Sequence, residues 1–180
     1  MTAHIRDARI DDAAGIARVR VETWRAAYAG LVPQEVLDRL DVERETAHRM
    51  ERWDEYHADA GSHDLVAVAD GEVVGWAFAG RARDRLEGVT GELYAIYAHA
   101  ERWSRGVGNA MLTEVERRLA GDGHARAYLW VLAGNARAAA FYETHGWHLD
   151  GGEKVEEGLH ELRRVRHLDG PRVAHGRADV

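Results

Sequence analysis

The sequence predicts a single α+β domain built around a mixed β-sheet. Its 180 residues, 46% of them hydrophobic and 31% charged, suit one globular core. A hairpin signal in the first half and a strand–helix–strand–helix series in the second half indicate the fold class. Because the hairpin precedes the crossover, the order does not match a Rossmann alternation. We expect the domain to span residues 1–168 and residues 169–180 to form a flexible tail.

An edge strand and two helical stretches are predicted at the start of the chain. Residues 4–6 form the strand, and Asp11-Asp12 begins a helix, since acidic side chains favour the positive end of the helix dipole. Apolar residues then recur at helical spacing until Gly30 and Pro33 break the pattern. A second, highly charged helix is expected over residues 34–56.

Three strands follow these helices. Residues 65–69 and 72–78 flank Asp70-Gly71, a two-residue turn typical of β-hairpins. The polar residues 81–91 are expected to be a connection to the third strand, residues 92–98.

The second half alternates helices and strands before a final hairpin. We expect a helix over residues 109–120, a strand over 127–132 and a helix over 136–144. Residues 147–149 and 159–168 then form the C-terminal hairpin.

Charge and composition exclude several classes of function. A net charge of −7 opposes binding to nucleic acid, whose phosphates require a basic surface. No apolar run approaches the ~20 residues of a membrane span, and the N-terminus lacks the apolar core of a signal peptide. Without cysteine there is no disulfide or thiolate site, and the 11 histidines lack metal-ligand spacing. We expect a cytoplasmic protein with no metal, no nucleic-acid partner and no membrane partner.

The first candidate binding motif joins a strand to a helix through Gly106 and Gly108. Glycines let the backbone approach a ligand closely, and the free N–H groups of a helical first turn point at an anion. The pattern therefore favours a diphosphate-binding turn, although a purely structural turn has the same pattern. It lacks the third glycine of a dinucleotide fingerprint and the Gly-Lys-Ser/Thr of a P-loop.

The second candidate motif occupies residues 135–147. Asn135 and Tyr142 are two helical turns apart, so they share a helix face with the small Ala138 between them. Such a face suits a thin, polar pantetheine arm. The alternative interpretation is an N-cap asparagine, two core aromatic residues and a glycine C-cap.

Together the two motifs resemble the GNAT superfamily of acyl-CoA-dependent N-acyltransferases, from Arg6 to about Leu168. The diphosphate motif of that family, Gln/Arg-x-x-Gly-x-Gly/Ala, has Gly106 and Gly108 here but Trp103 at its first position. The later family motif, Asn-x-x-Ala-x-x-Phe-Tyr-x-x-x-Gly-Phe, is matched by Asn135, Ala138, Phe141, Tyr142 and Gly146, with Trp147 for the final Phe.

This resemblance implies a twisted mixed sheet of about seven strands, splayed at the fourth and fifth and flanked by about four helices. It also implies acetyl-CoA as the acyl donor and direct transfer of the acetyl group to a primary amine. A backbone N–H of the fourth strand would polarise the thioester carbonyl. The residues expected to bind acetyl-CoA are Ile96, Tyr97, Ala98, Arg102, Arg105, Gly106, Val107, Gly108, Asn109, Ala110, Asn135, Ala138 and Tyr142.

Two catalytic residues are implied in the same way. Glu92 matches the position of a general base that acts through a water, and Tyr142 matches the acid that protonates the departing thiolate. A phenol pKa of about 10 and a thiolate pKa of about 8.5 suit this proton transfer. The alternatives are a solvated strand-edge residue for Glu92 and a buried tyrosine with a satisfied hydroxyl for Tyr142.

Residues 21–33 resemble a stretch common in one bacterial subgroup of the superfamily. The candidate acceptor-binding residues are Trp24, Tyr28, Tyr94 and Trp130, whose aromatic faces attract cations. Core packing is the alternative for the first two. Acidic charge and aromatic residues favour a small-molecule amine as the acceptor. The alternatives are a protein acetyltransferase acting on a lysine or N-terminal amine, and a non-catalytic acyl-CoA-binding regulatory module. A homodimer is compatible with the resemblance.

Overall fold

The predicted α+β fold is confirmed by a computed structural model, which describes residues 3–168. The tail predicted over residues 169–180 lies outside the described residues. The strands are β1 (His4–Asp7), β2 (His63–Ala69), β3 (Glu72–Leu86), β4 (Val89–Ala98), β5 (Arg126–Leu132), β6 (His148–Glu156) and β7 (Leu159–His167). They form one mixed sheet in the order β1-β2-β3-β4-β5-β7-β6, in which β4 and β5 are parallel and all other neighbours antiparallel.

The helices follow the predicted order, with one correction. Within the described residues they are α1 (Ala13–Ala27), α2 (Gln34–Asp38), α3 (Val42–Glu51), α4 (Trp53–Tyr56), α5 (Val107–Gly121) and α6 (Ala136–Thr144). The single helix predicted over residues 34–56 is wrong, since three helices occupy this stretch. Asp41 causes the main break: its backbone is extended, and its side chain caps α3 by accepting from the Arg44 N–H at 2.8 Å.

The connection predicted over residues 81–91 is also wrong, because this segment is the far end of the β3–β4 hairpin. β3 continues to Leu86, which pairs with Val89 across a tight turn where Gly88 has a φ of +68°. Most side chains here are exposed, so the segment is polar although both of its ends are paired in the hairpin. Backbone pairing without burial leaves no hydrophobic pattern in a sequence.

The predicted splay between β4 and β5 is confirmed. The two strands pair only from Gly91 to Leu93, opposite residues 127–129, and beyond Leu93 the strand β4 pairs with β3 alone. A β-bulge lies at the point of separation. Ala79 faces Leu93 and Phe78 faces Ala95, which leaves Tyr94 as the extra residue. The next residues of β4 therefore present an edge with no partner strand toward β5.

The sheet is covered on both faces. On one face, α5 buries Met111, Leu112, Val115 and Leu119 completely against alternate residues of β2 such as Leu65. On the other face, Ile16 of α1 packs against Val66 and Trp76. Each fully buried aliphatic side chain contributes about 1.5–3 kcal/mol. None of the described helices is long and apolar enough to cross a membrane.

Candidate active site

The gap between β4 and β5 opens into a cleft of about 690 Å³. The cleft has two ends that differ in their lining. The cofactor end is lined from the start of α5 and from α6 with its flanking residues, by Arg102, Trp103, Ser104, Gly106, Gly108, Asn109, Asn135, Arg137, Ala138, Phe141, Tyr142 and His145. The acceptor end consists of Trp24, Tyr28, Arg83, Glu92, Tyr94, Trp130, Lys154, Glu156 and Glu161.

At the cofactor end, a left-handed glycine begins α5. Gly106 has a φ of +85°, and apart from the adjacent backbone no described atom lies within 4 Å of the place where a Cβ would stand. The N–H of Ala110 makes the first helical hydrogen bond, to the Gly106 carbonyl at 2.9 Å. The amides of residues 107–109 therefore have no partner within the helix, and together with the helix dipole they suit an anion.

The predicted cofactor-binding residues fall into two groups. Those that line the cleft are Ile96, Tyr97, Ala98, Arg102, Gly106, Gly108, Asn109, Asn135, Ala138 and Tyr142. Three others lie outside the lining: Arg105 is exposed on the loop, Val107 is buried in the core, and Ala110 uses its N–H inside the helix. Of the two arginines expected to bind acetyl-CoA, Arg102 lies 3.7 Å from Asp70.

The start of α6 fits both interpretations of its motif, as a helix cap and as a wall of the binding cleft. Asn135 is the N-cap, since its side-chain oxygen accepts from the Ala138 N–H at 3.1 Å. The same two residues also line the cleft. At the other end of the helix, His145 Nε2 lies 2.7 Å from Asn109 Oδ1, which ties α6 to the first turn of α5.

Tyr142 lies in the cleft wall with its ring buried and its hydroxyl unpaired. Only 8% of the residue is exposed, and its hydroxyl makes no hydrogen bond to any residue of the described range. Residues 3–168 therefore do not satisfy this hydroxyl, as the alternative to a catalytic role would require. Burial raises the pKa of the phenol, and neighbouring Tyr97 adds to the effect. The hydroxyl thus stays protonated at neutral pH and is free to donate to a ligand.

Glu92 is almost completely buried, so the alternative of a solvated edge residue is wrong. Its carboxylate receives the Arg83 guanidinium at 2.5 and 3.1 Å, the Arg83 backbone N–H at 2.9 Å and the Tyr128 hydroxyl at 2.6 Å. A carboxylate has about four lone-pair sites, and these contacts occupy them. The two partners of the Arg83–Glu92 ion pair differ in exposure: the Arg83 side chain is 64% exposed and that of Glu92 is 1% exposed.

The four predicted acceptor-binding aromatic residues meet in the same cleft. Trp24 and Tyr28 form an edge-to-face pair with centroids 4.9 Å apart. The Tyr94 ring lies 4.6 Å from the Arg83 guanidinium carbon, and its hydroxyl donates to a backbone carbonyl. Trp130 donates from Nε1 to an Asp84 oxygen at 3.2 Å.

Sequence analysis did not identify several cleft residues. Arg83 lies in the segment interpreted as a connection, and the sequence carries no signal that pairs it with Glu92. Lys154 places its ammonium 2.9 Å from Glu156, 3.3 Å from Glu161 and 4.9 Å from the Trp130 ring centroid. The alternating charges of the last hairpin were the available signal for these three residues. In residues 3–168, no group of acidic and histidine side chains is arranged to hold a metal ion.

Comparisons with known proteins agree with this geometry. A family model described as "Acetyltransferase (GNAT) family" matches residues 21–147. A curated relative, "Uncharacterized N-acetyltransferase YuaI" of Bacillus subtilis (strain 168), is 31% identical over 163 residues, which is 90% of this chain and 87% of the relative.

Solved structures share the fold at lower identity. PaiA N-acetyltransferase from Thermoplasma acidophilum, in complex with coenzyme A, has a TM-score of 0.74 at 20% identity over 93% of this chain and 99% of its own. YncA from Salmonella typhimurium, a putative acetyltransferase with its cofactor acetyl-CoA, has a TM-score of 0.66 at 19% identity over 98% of this chain and 100% of its own.

The residues of this chain fit an acyl-CoA. Free amides at the start of α5 suit a diphosphate, and the partnerless edge of β4 suits the amides of a pantetheine arm. The family model covers more than half of the chain, and the relative exceeds 30% identity over most of it. The chain therefore belongs to the acetyltransferase (GNAT) family, as an N-acetyltransferase with acetyl-CoA as its acyl donor.

Proposed function

We propose that this enzyme acetylates the primary amine of a small molecule. The observation that carries the proposal is the lining of the acceptor end, where aromatic faces stand beside carboxylates. Trp24, Tyr28 and Trp130 line the cleft together with Glu156 and Glu161. Aromatic faces and carboxylates both attract an ammonium group.

A resident ammonium supports this choice of acceptor. Lys154 Nζ lies within 3.3 Å of both Glu156 and Glu161 and 4.9 Å from the Trp130 ring centroid. This wall of the cleft therefore already accommodates one primary ammonium. An amine that enters as a cation would compete with Lys154 for the same two carboxylates.

Glu92 and Tyr142 are the proposed catalytic residues. Acetyl-CoA supplies an acetyl group activated as a thioester. Glu92 accepts the proton of the acceptor ammonium through a water, and Tyr142 Oη donates its proton to the departing sulfur. The unpaired, protonated hydroxyl of Tyr142 supports its part.

The ion pair adds one requirement to the role of Glu92. Since Arg83 and Tyr128 occupy the carboxylate, an oxygen becomes available to a water only when the Arg83 guanidinium swings away. The large exposure of the Arg83 side chain gives it room to do so. A cationic acceptor that competes for Glu92 would favour this movement.

A thiol-release assay tests the proposed acceptor class. Because the chain has no cysteine, a thiol-reactive dye reports only the CoA that is released. The enzyme is assayed with diamines, amino acids, amino sugars, a lysine peptide and a peptide with a free N-terminus. We expect at least one small amine to exceed both peptides in kcat/KM by tenfold or more.

The other two interpretations are distinct outcomes of that assay. Preference for a peptide would contradict the small-molecule proposal in favour of a protein acetyltransferase. A regulatory module would bind acetyl-CoA without turnover of any amine. Thermal unfolding detects such binding, since a ligand at 100 times its Kd stabilises a fold by about 2.7 kcal/mol.

A further inference from the structure

Trp103 and Arg137 form a contact at the cofactor end that no motif predicts. The Arg137 guanidinium carbon lies 3.4 Å from the centroid of the Trp103 ring. The indole is itself fixed, because its Nε1 donates to the Ala98 carbonyl at 2.7 Å. Both side chains line the cleft with Gly106 and Gly108. A rigid indole thus holds a guanidinium in the wall beside the start of α5.

Arg137 differs from the other cations of the cleft in having no acidic partner among residues 3–168. Arg83 is paired with Glu92, Arg102 lies 3.7 Å from Asp70, and Lys154 is paired with glutamates. Arg137 makes no hydrogen bond to the described part of the chain and has no described carboxylate within 4.0 Å. Its N–H donors therefore remain available to an anion in the cleft.

The start of α5 adds a second source of positive electrostatic potential beside the Arg137 guanidinium. The amides of residues 107–109 have no helical partner, and the dipole makes this end of the helix positive. Two independent features thus favour an anion here: an unpaired guanidinium and a set of free amides. The acyl donor carries such an anion in its diphosphate.

We propose that Arg137, held against the face of Trp103, binds a phosphate oxygen of the CoA diphosphate. In this chain Trp103 stands where the family motif has Gln or Arg, so that position supplies no polar side chain for the diphosphate. Arg137 supplies a guanidinium from α6 instead, and Trp103 becomes its platform. This proposal concerns the acyl donor and does not depend on the acceptor class.

Titration calorimetry without any acceptor tests the proposal. The affinities of CoA and of 3′-dephospho-CoA are measured for the wild type, Arg137→Gln, Arg137→Lys and Arg18→Gln. Arg18 is a matched control: it is exposed on α1, lies outside the cleft lining and loses the same formal charge. We expect Arg137→Gln to raise both Kd values by about tenfold or more, as for other charge-assisted hydrogen bonds. Arg18→Gln should leave both unchanged.

The lysine variant and the truncated ligand sharpen the result. Arg137→Lys should lose less affinity than Arg137→Gln, because it keeps the charge but not the planar fork. Equal losses with CoA and 3′-dephospho-CoA support the diphosphate contact. A loss with CoA alone would move the contact to the 3′-phosphate and overturn the proposal.

A structural role for the pair would give a different result. In that case Arg137→Gln would bind both ligands within about twofold of the wild type, and only thermal unfolding of the ligand-free protein would change. If the glutamine variant does not fold, the lysine variant with both ligands carries the same test. An equal loss with both ligands again supports the proposal, and unchanged affinities contradict it.

Discussion

The two ends of the cleft are built from different parts of the polypeptide. The cofactor end depends on backbone conformation: a left-handed Gly106 followed by amides without helical partners. The acceptor end depends on side chains that neutralise one another, such as Arg83 with Glu92 and Lys154 with two glutamates. A few neighbouring residues encode a backbone conformation, whereas an ion pair exists only after distant strands have paired. The sequence therefore predicts the glycine turn of the cofactor end, and it names aromatic residues of the acceptor end but not the ion pairs there.

This contrast predicts that substitutions at the acceptor end change turnover, as does loss of the Tyr142 hydroxyl, while the other substitutions at the cofactor end change affinity for CoA. The largest expected effect is that of Glu92→Gln. Loss of a general base should reduce kcat by about 100-fold or more at neutral pH. The reduction should shrink toward about pH 10, where more of the acceptor is free amine. The measurement is a pH–rate profile at saturating substrates.

Tyr128→Phe is the control for Glu92→Gln. It removes one hydrogen bond to the carboxylate but leaves the charge and the Arg83 pair in place. We expect a much smaller change in kcat and no change in the shape of the profile. An equal loss for Glu92→Gln at every pH, together with lower thermal stability, would assign Glu92 a structural role instead.

The second largest effect is expected for Tyr142→Phe. This variant should lose about 100-fold in kcat while it keeps its CoA affinity and its unfolding temperature. Stability should hold because the hydroxyl makes no hydrogen bond within residues 3–168. Steady-state kinetics measure kcat, calorimetry measures CoA affinity, and thermal unfolding measures stability, all on the same preparation. Tyr97→Phe is the matched control, and a loss of kcat there instead would identify Tyr97 as the acid.

An intermediate effect, on affinity, is expected at the two glycines of the cofactor end. Gly106→Val should raise the Kd for CoA by about tenfold or more. A branched side chain is strained at a φ of +85°, and it would occupy space in the diphosphate-binding turn. Gly108→Ala distinguishes an effect on protein stability from an effect on CoA binding. Its Cβ would meet Phe141 at an ordinary 3.5 Å, and alanine favours a helix over glycine by about 0.5–1 kcal/mol.

Gly108→Ala should therefore keep or raise the thermal stability of the ligand-free protein while it weakens CoA binding. Unchanged CoA affinity in both glycine variants would show that the glycine turn before α5 does not bind the cofactor.

The smallest effect is expected from alkaline pH on the wild type. Because burial raises the pKa of Tyr142 above its ordinary value of about 10, the phenol keeps its proton beyond that pH. We expect kcat to show no decline between about pH 8 and about pH 10 from deprotonation of this residue. A decline in that range that Tyr142→Phe abolishes would contradict the prediction.

Local signals account for the elements that the sequence predicted correctly. Asp70-Gly71 forms the expected hairpin, and Asn135 caps α6 as its type predicts. The errors share one cause. Residues 81–91 and 34–56 are rich in polar and charged residues, so side-chain pattern did not show where backbone pairing or a new helix cap would occur.

For the two catalytic candidates, too, the sequence identified the residues but not their surroundings. Glu92 and Tyr142 were identified through a family resemblance, and both line the cleft. The state of each was not predictable. Glu92 became a buried carboxylate covered by Arg83 and Tyr128, and Tyr142 kept a free hydroxyl, because neighbours from other segments decide burial and hydrogen bonding.

By itself, the sequence determined the β2–β3 hairpin, the glycine turn before α5 and the capped start of α6, because each depends on residues close together in the chain. Only the tertiary structure decided that Arg83 covers Glu92 and that Arg137 lies on Trp103 without an acidic partner. Those contacts join residues from separate elements. Their geometry follows from the pairing of β3 with β4 and from the placement of α6 beside the loop that precedes α5, which no local pattern encodes.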